Sequence, residues 1–263
     1  MKTQRQNRRA LILAAGRGSR MRALTANQPK CLVELGGRSL LNWQLAALRT
    51  AGIQEIAVVT GYCAEGYPQA DFTVLNNPRW SETNMVGSLL CASDWLEQGD
   101  CIISYADIVY HPQIIRELAQ HPASIAVAYD RLWQDLWQAR FTHPMSDAET
   151  FRSDANGRLL EIGRKPTTLD QIEGQYMGLI RMTPQGWQRV RGFLRSVSLE
   201  EQDQLDMTSL FDRLLSQGVE IQGIPISGRW CEVDSEDDLG LYQTRLRDPS
   251  GWSHDWRWNE QAA

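Results

Sequence analysis

The residues able to do chemistry in this 263-residue chain gather in one stretch near its start. Residues 11–22 read LILAAGRGSRMR, followed by Thr25 and then Pro29-Lys30. An apolar run enters a turn of small residues, Ala14, Ala15, Gly16, Gly18 and Ser19, whose open backbone N–H groups can face an anion. Arg17, Arg20 and Arg22 are interleaved with them, so positive charge and accessible backbone coincide. A triphosphate is the natural guest. The spacing is not the dinucleotide fingerprint, whose third glycine would fall at Met21, nor a Walker loop, since no Gly-Lys-Ser/Thr follows. A plain glycine turn with solvated arginines is the competing reading, and Lys30 a short loop later weighs against it.

Two distant aspartates form the second feature. Asp107 closes the apolar run CIISYAD, and Asp234 closes WCEVD just before a helix start. Either alone is an ordinary turn or helix-cap aspartate. Converging, they would suit Mg²⁺, which takes one or two protein carboxylates together with phosphate oxygens. Glu236, Asp237 and Asp238 read as charges complementing a helix N-terminus. In the second half, Trp133, Trp137, Tyr176 and Trp187 are the aromatics available to cage a quaternary ammonium. Trp133 and Trp137, four apart, equally fit a helix face packed on the core. The same segment holds Asp135, Arg140, His143, Asp147 and Glu149, a polar set suited to an amino acid-like or hydroxylated ligand.

The elements that must position these residues alternate. Residues 10–14 read as a buried strand, 40–50 as a helix stopped by Ala51-Gly52, and 53–60 as the next strand, closing a β-α-β unit. Residues 72–75, 101–105 and 124–129 follow as strands, with helices at 84–96 and 112–120. This rhythm predicts an α/β, Rossmann-like, doubly wound and mainly parallel sheet, with ligands at the carboxyl ends of its strands. From about residue 130 the pattern changes to a hairpin around Asn156-Gly157, a strand at 176–182, helices at 185–195 and 207–216, strands at 219–226 and 230–233, and a helix capped by Ser235. The expectation is one domain: about 8–130 as nucleotide half, 131–242 as a smaller hairpin-and-helix elaboration on the acceptor side, and 243–263 as a Trp-rich tail.

Composition bounds the rest. With 42% hydrophobic residues the chain is neither disordered nor tail-like, and its net charge of −5 argues against general nucleic-acid binding. No apolar run is long enough to span a membrane, and the basic start at Met1–Arg9 is followed by too short an apolar run for a secretory signal. Five scattered cysteines without a C-x-x-C pair point to reduced thiols in a cytoplasm. Ten tryptophans outnumber the tyrosines and the phenylalanines; three of them, Trp252, Trp256 and Trp258, lie in the polar tail, which is expected to fold back or to meet a partner subunit, as in a homo-oligomer.

The stretches LAAGRGSRM, LT and PKCLVELGG resemble the signature of nucleotidyltransferases that join a nucleoside triphosphate to a phosphorylated small molecule. Within that superfamily the chain is most similar to the phosphocholine cytidylyltransferases and their relatives acting on phosphonates or other phosphomonoesters. TGYCAEGY, NNPRWSETNMVGSL, YADIVY and EVDSEDDL fall in the family's order, and the similarity covers about residues 10–241. The resemblance implies that Gly16, Arg17, Gly18, Ser19 and Arg20 hold the triphosphate, with Ala14 and Ala15 in the nucleotide site. It implies Lys30 as catalytic lysine, Asp107 and Asp234 as magnesium ligands, and Ser88, with Thr60 and Gly61, near the base. Lys165, in EIGRKP, resembles the lysine that holds the acceptor phosphate in the sugar-nucleotide branch, although Arg164 replaces that motif's glutamate.

The implied activity is Mg²⁺-dependent transfer of CMP from CTP to a phosphocholine-like, aminoalkylphosphonate or phosphorylated amino acid acceptor. Positioning and charge stabilisation would carry such a reaction without a covalent intermediate. A sugar-1-phosphate nucleotidyltransferase using UTP, dTTP or GTP is the alternative enzyme, and a non-catalytic nucleotide-sensing subunit the alternative of another class.

Overall fold

The structure is a computed structural model that describes residues 8–68 and 71–259. Most of the basic start, residues 1–7, and the last four residues of the tail lie outside the described residues. The first half runs β1 (Arg8–Leu13), the two-residue ribbon β2 (Glu34–Leu35) and β3 (Arg38–Ser39), α1 (Leu40–Thr50), β4 (Glu55–Thr60), β5 (Thr73–Asn76), α2 (Met85–Leu90), α3 (Ser93–Glu97), β6 (Asp100–Tyr105), β7 (Ile108–Tyr110), α4 (Pro112–Gln120) and β8 (Ile125–Asp130). The second half runs α5 (Trp133–Arg140), β9 (Phe151–Ser153), β10 (Leu159–Ile162), β11 (Gln175–Met182), α6 (Pro184–Leu194), α7 (Leu199–Gln204), α8 (Met207–Ser216), β12 (Gln222–Ile226), β13 (Trp230–Glu232) and α9 (Glu236–Arg247).

A seven-stranded sheet ordered β12-β8-β11-β6-β1-β4-β5 organises the molecule. β1 pairs in parallel with β4 and β6, β4 with β5, and β12 with β8; β11 alone among them is antiparallel to its neighbours. The α/β, doubly wound and mainly parallel sheet expected from the alternating pattern is what forms. Alternate residues of β1 enter different cores: Ala10 and Ile12 join the face covered by α1 and α4, whereas Leu11 and Leu13 join that covered by α2, α6 and α8. Burial on both faces explains why the strand reads as one unbroken apolar run.

The hairpin around Asn156-Gly157 is present as β9 and β10, and Ser235 with Asp238 forms the capping box opening α9. Two local expectations are corrected, and one helix was not anticipated. The helix expected over 84–96 is two short helices, α2 and α3, parted at Cys91-Ala92, where Ala92 leaves helical geometry. β6 ends at Tyr105, so Asp107 sits in the turn between β6 and β7 and not on the strand itself. Helix α7 had no counterpart in the periodic pattern, because none of its six residues is buried.

The tail folds back. Trp256 is fully buried, with its ring 6.0 Å from Trp43 of α1 and 6.4 Å from Tyr242 of α9. Two residues earlier, His254 Nε2 lies 2.8 Å from Asp130 Oδ2, which also accepts the Trp230 indole N–H at 3.0 Å. Asp130 and His254 are wholly excluded from solvent, and proximity to His254 and the donors of Gly228 and Trp230 outweigh burial to hold the Asp130 carboxyl below its usual range. Among the described residues, no helix is long and apolar enough to cross a membrane.

Candidate active site

Three parallel strands deliver their carboxyl ends to one edge of the sheet. β1 leads into Ala14-Ala15-Gly16, β4 into Gly61, and β6 into the turn carrying Asp107. Between them opens a cavity of ≈ 260 Å³ bordered by Gly16, Gly18, Ser19, Arg20, Lys30 and Asp107. Ala14 and Met85 border the same space, and Tyr105 closes one wall.

The glycine turn is shaped by backbone need. Gly18 has φ +66°, a left-handed conformation that costs other residues energy. A Cβ there would also lie 2.7 Å from Lys30 Cβ, so the lysine stem runs directly against the turn. Gly16 has no heavy atom within 4 Å of where a Cβ would stand, leaving its backbone open to a ligand. Arg17 and Arg20 are exposed, Arg20 bordering the cavity and Arg17 lying over the Tyr62 ring at 5.5 Å. Gly61 backs the turn from β4: a Cβ on it would lie 2.7 Å from the Ala15 carbonyl, which already accepts the Tyr62 N–H at 2.9 Å.

Asp107 and Asp234 converge because β13 pairs antiparallel with β7, placing Glu232 opposite Ile108. Val233 N–H then donates to the Asp107 carbonyl at 2.8 Å, which fixes the two turns side by side. Lys30 Nζ lies between the carboxylates, donating to Asp107 Oδ2 at 2.8 Å and to Asp234 Oδ1 at 2.5 Å. Arg20 reaches Asp234 Oδ2 at 3.1 Å. Burial alone would favour a neutral amine, but the two aspartates outweigh it and hold Lys30 above the ordinary lysine range. Conversely, Lys30, with Arg20 and Arg140, overcomes burial and holds Asp234 below the ordinary carboxylate range.

Two further residues belong to this constellation: Glu232, which the sequence reading did not single out, and Arg140, which it placed elsewhere. Glu232, Asp107 and Asp234 each offer an oxygen within 4.8 Å of the others. Burial and the charge of Asp234 push Glu232 up to about 8, against the pull of Arg140. Arg140 had been grouped with acceptor-side polar residues; its wholly buried guanidinium instead donates to Glu232 at 2.8 Å and to Asp238 at 2.9 and 3.2 Å. The signal for Glu232 is its i, i+2 spacing to Asp234, which puts both on one side of an extended segment. Nothing local marks Arg140.

The donor set suits a hard divalent cation. All three side chains offer oxygen, and Asp107 Oδ1 is buried without a hydrogen-bond partner.

The remaining sequence-selected residues are distributed otherwise. Ser88 on α2 is buried, accepts from Asn77 Nδ2 at 3.1 Å and does not border the cavity. Trp133 and Trp137 are not brought to the cavity: both are buried, in edge contact at 6.1 Å, and Trp137 packs near Trp230. Trp187 is fully buried on the other face of the sheet. The helix-face reading therefore describes these indoles. Tyr176 stands behind Tyr105, rings 5.7 Å apart, where Gly178 (φ +78°) leaves room for the Tyr105 ring. Lys165 is exposed, its Nζ donating to the Ser146 carbonyl at 2.5 Å. Beyond Tyr105, Glu149 sits among Asp147, Asp206 and Lys165; burial, then the two aspartates, raises its carboxyl above the usual range.

Residues 10–164 match the MobA-like NTP transferase domain. The chain is also 37% identical over 248 residues to a CTP:phosphoglutamine cytidylyltransferase of Campylobacter jejuni, spanning 88% of this chain and 97% of that one. The chain belongs to the MobA-like NTP transferase family. This NTP transferase is also 37% identical over 105 residues to a 2-aminoethylphosphonate cytidylyltransferase of Lancefieldella rimae, 38% of this chain and 43% of that one. In fold it resembles the inositol-1-phosphate CTP transferase of T. maritima, with a TM-score of 0.72 at 19% identity over 90% of this chain and 96% of that one. It likewise resembles a CTP:phosphocholine cytidylyltransferase from Streptococcus pneumoniae, with a TM-score of 0.71 at 18% identity over 91% and 99% of the two chains. The enzyme is a nucleotidyltransferase, and its α/β fold resembles that of CTP transferases.

Proposed function

We propose that this nucleotidyltransferase transfers CMP from CTP to a small phosphorylated acceptor bearing an ammonium group, an aminoalkylphosphonate or a phosphorylated amino acid, releasing pyrophosphate. The observation that carries the reading is Lys30 held between Asp107 and Asp234 beside an open glycine turn. CTP as donor is supported by the cytidylyltransferases among its relatives.

An acceptor phosphate oxygen attacks the α-phosphorus of CTP in line, and the bond to the bridging oxygen of pyrophosphate breaks. The nucleophile is already anionic near neutral pH, because the second phosphate pKa is about 6, so no general base is needed. Gly16, Gly18 and Ser19 offer backbone N–H groups to the triphosphate. Arg17 and Arg20 hold the leaving pyrophosphate, with the fork geometry that lysine lacks. Lys30 stabilises the charge that grows at the α-phosphate. Asp107 and Asp234, with Glu232 beside them, would hold Mg²⁺, which supplies further neutralisation of the phosphate oxygens when bound. The grouping of Glu149 with Asp147 and Asp206 supports an ammonium-bearing acceptor, because a cation beside them would offset the repulsion that adds to burial in raising Glu149. The burial of Trp133 and Trp137 weighs against an aromatic cage and thus against choline itself.

Pyrophosphate release with the five common nucleotides and a panel of phosphorylated acceptors tests the reading. CTP with an amine-bearing acceptor should be the preferred pair, and a chelator should abolish turnover until Mg²⁺ is restored. Failure of every pair to give metal-dependent pyrophosphate overturns it. In the same assay Lys30→Ala should lower kcat by about 10²–10³-fold, the range for losing one preorganised charge-stabilising donor.

A further inference from the structure

We infer that Asp203 and Arg79 are positioning residues for the triphosphate, acting through Trp80 and Tyr62 on Arg17. The inference rests on the proposed placement of the triphosphate at the glycine turn. It adds a support for that turn from the far half of the chain.

Helix α7 lies beyond residues 10–164, which match the family domain, and none of its six side chains is buried. Its last residues nonetheless meet the start of α2. Asn84 N–H donates to the Asp203 carbonyl at 2.7 Å, and Val86 N–H to the Leu205 carbonyl at 3.3 Å. Asn84 Nδ2 donates to the Gln204 carbonyl at 3.3 Å. Helix starts and ends lack partners within their own helices, so these two ends satisfy each other. The Asp203 side chain adds a fork to this junction. Both of its oxygens meet the Arg79 guanidinium, Nη1 donating to Oδ1 at 3.2 Å and Nη2 to Oδ2. Glu82 accepts from Arg79 Nε at 3.2 Å, so all three guanidinium nitrogens are engaged. Such a planar, bidentate pair fixes direction as well as distance.

The residue after Arg79 stands against the phosphate turn's own support. A Cβ on Gly61 would lie 2.6 Å from Trp80 Cβ, so the tryptophan stem packs directly on that glycine. The Trp80 ring meets the Tyr62 ring edge-on at 5.3 Å, and Arg17 lies over Tyr62 at 5.5 Å. Tyr62 is tied at both ends, its N–H to the Ala15 carbonyl at 2.9 Å and its hydroxyl to the Ala26 carbonyl at 2.5 Å. A long exposed arginine loses rotamer freedom when it grips an anion, and a ring that already holds it lowers that cost. Asp203 restrains Arg79, Arg79 fixes the chain at Trp80, and Trp80 backs the ring on which Arg17 rests.

Calorimetric titration with inorganic tripolyphosphate reads the turn without a base, and a CTP analogue with a methylene bridge between the α- and β-phosphates reads the nucleotide. Asp203→Ala and Arg79→Met should each weaken tripolyphosphate binding by about three- to fivefold, the scale of one exposed ion pair. Arg17→Met should weaken it by about tenfold or more, the scale of a hydrogen bond to a charged group. The decisive measurement is the double variant. In the Arg17→Met background, Asp203→Ala should change the affinity by less than about 1.5-fold, whereas independent sites would add. A merely structural role for Asp203 would not depend on Arg17. Circular dichroism checks folding, and if Asp203→Ala does not fold, the exposed Arg79→Met takes its place in the cycle. Unchanged tripolyphosphate affinity in the single variants, or the same loss with and without Arg17, overturns the inference. So does failure of wild type to bind tripolyphosphate. Binding of tripolyphosphate without binding of the analogue counts instead against CTP as donor, and the cycle with tripolyphosphate still decides the role of Asp203.

Discussion

Replacing Arg140 by Met tests whether the carboxylates of β13 and α9 depend on one buried cation. The guanidinium is wholly enclosed, and its partners Asp238, Asp234 and Glu232 retain only 5%, 9% and 24% of their side-chain surface. Methionine fills much of the same volume but leaves these anions facing each other. Breaking a buried pair from one side costs about 3–5 kcal/mol, a large part of the roughly 5–15 kcal/mol that holds a domain together. At about 2–4 °C per kcal/mol for a chain of this size, the melting temperature should fall by about 6–20 °C. The double variant Arg140→Met/Asp238→Asn removes the most enclosed orphaned charge and should recover part of the loss, since neighbouring sites couple. Asparagine keeps one acceptor for the Asp234 and Ser235 N–H groups that the Asp238 carboxylate now receives. Urea unfolding followed by tryptophan fluorescence supplies both free energies by linear extrapolation. A loss below about 1 kcal/mol, the value of an exposed pair, would refute the reasoning, as would a double variant no more stable than the single one.

Gly18→Ala should keep the circular dichroism of wild type and lower kcat/KM by at least about tenfold, because its Cβ displaces the Lys30 stem and removes a φ > 0 backbone that glycine tolerates. Trp256→Ala should cost about 3–5 kcal/mol in urea unfolding, as for other large-to-small core changes. His111, which caps α4 by accepting the Gln113 N–H at Nδ1, is lowered to about 4 by burial and by Arg229 and Arg116. Between its ordinary value near 6.5 and about 4, the unfolded chain binds a proton that the folded one refuses. Its contribution is therefore complete above about pH 6.5 and lost on acidification toward pH 4. His111→Asn, a capping residue that does not titrate, should flatten the dependence of melting temperature on pH in that window relative to wild type. Lys165→Ala should raise the KM for the acceptor while leaving that for CTP within about twofold if the exposed ammonium meets acceptor and not nucleotide, a split read from initial rates.

What was legible in the sequence was what is local in the chain. The strand, glycine turn and Lys30 lie within about twenty residues, and small residues alternating with arginines announce a backbone made for anions. The β-α-β rhythm likewise gave the sheet, because buried parallel strands and amphipathic helices have different periods. The meeting of Asp107 with Asp234 follows from the ribbon of β7 with β13, a pairing that neither three-residue strand specifies by itself. Arg140 was placed on the acceptor side for the same reason: its partners come from β13 and α9, nearly a hundred residues away. Trp133 and Trp137 carried the same spacing whether they faced a ligand or the core, and only tertiary packing separated the two.

The ion pair of Lys30 with Asp234 also has a temporal side. It joins residues 204 positions apart, and Asp234 is fixed by β13, whose Cys231 thiol meets the His254 carbonyl of the returning tail and whose Trp230 shares Asp130 with the His254 ring. A contact of such sequence separation carries a loop-closure cost that is reduced when nearer pairings form first. The sheet can gather around β1 well before its active site exists. Catalytic competence in this enzyme is thus a property of the finished topology, and a chain cut before β13 would retain Lys30 and the phosphate turn with no carboxylate partner from the far end.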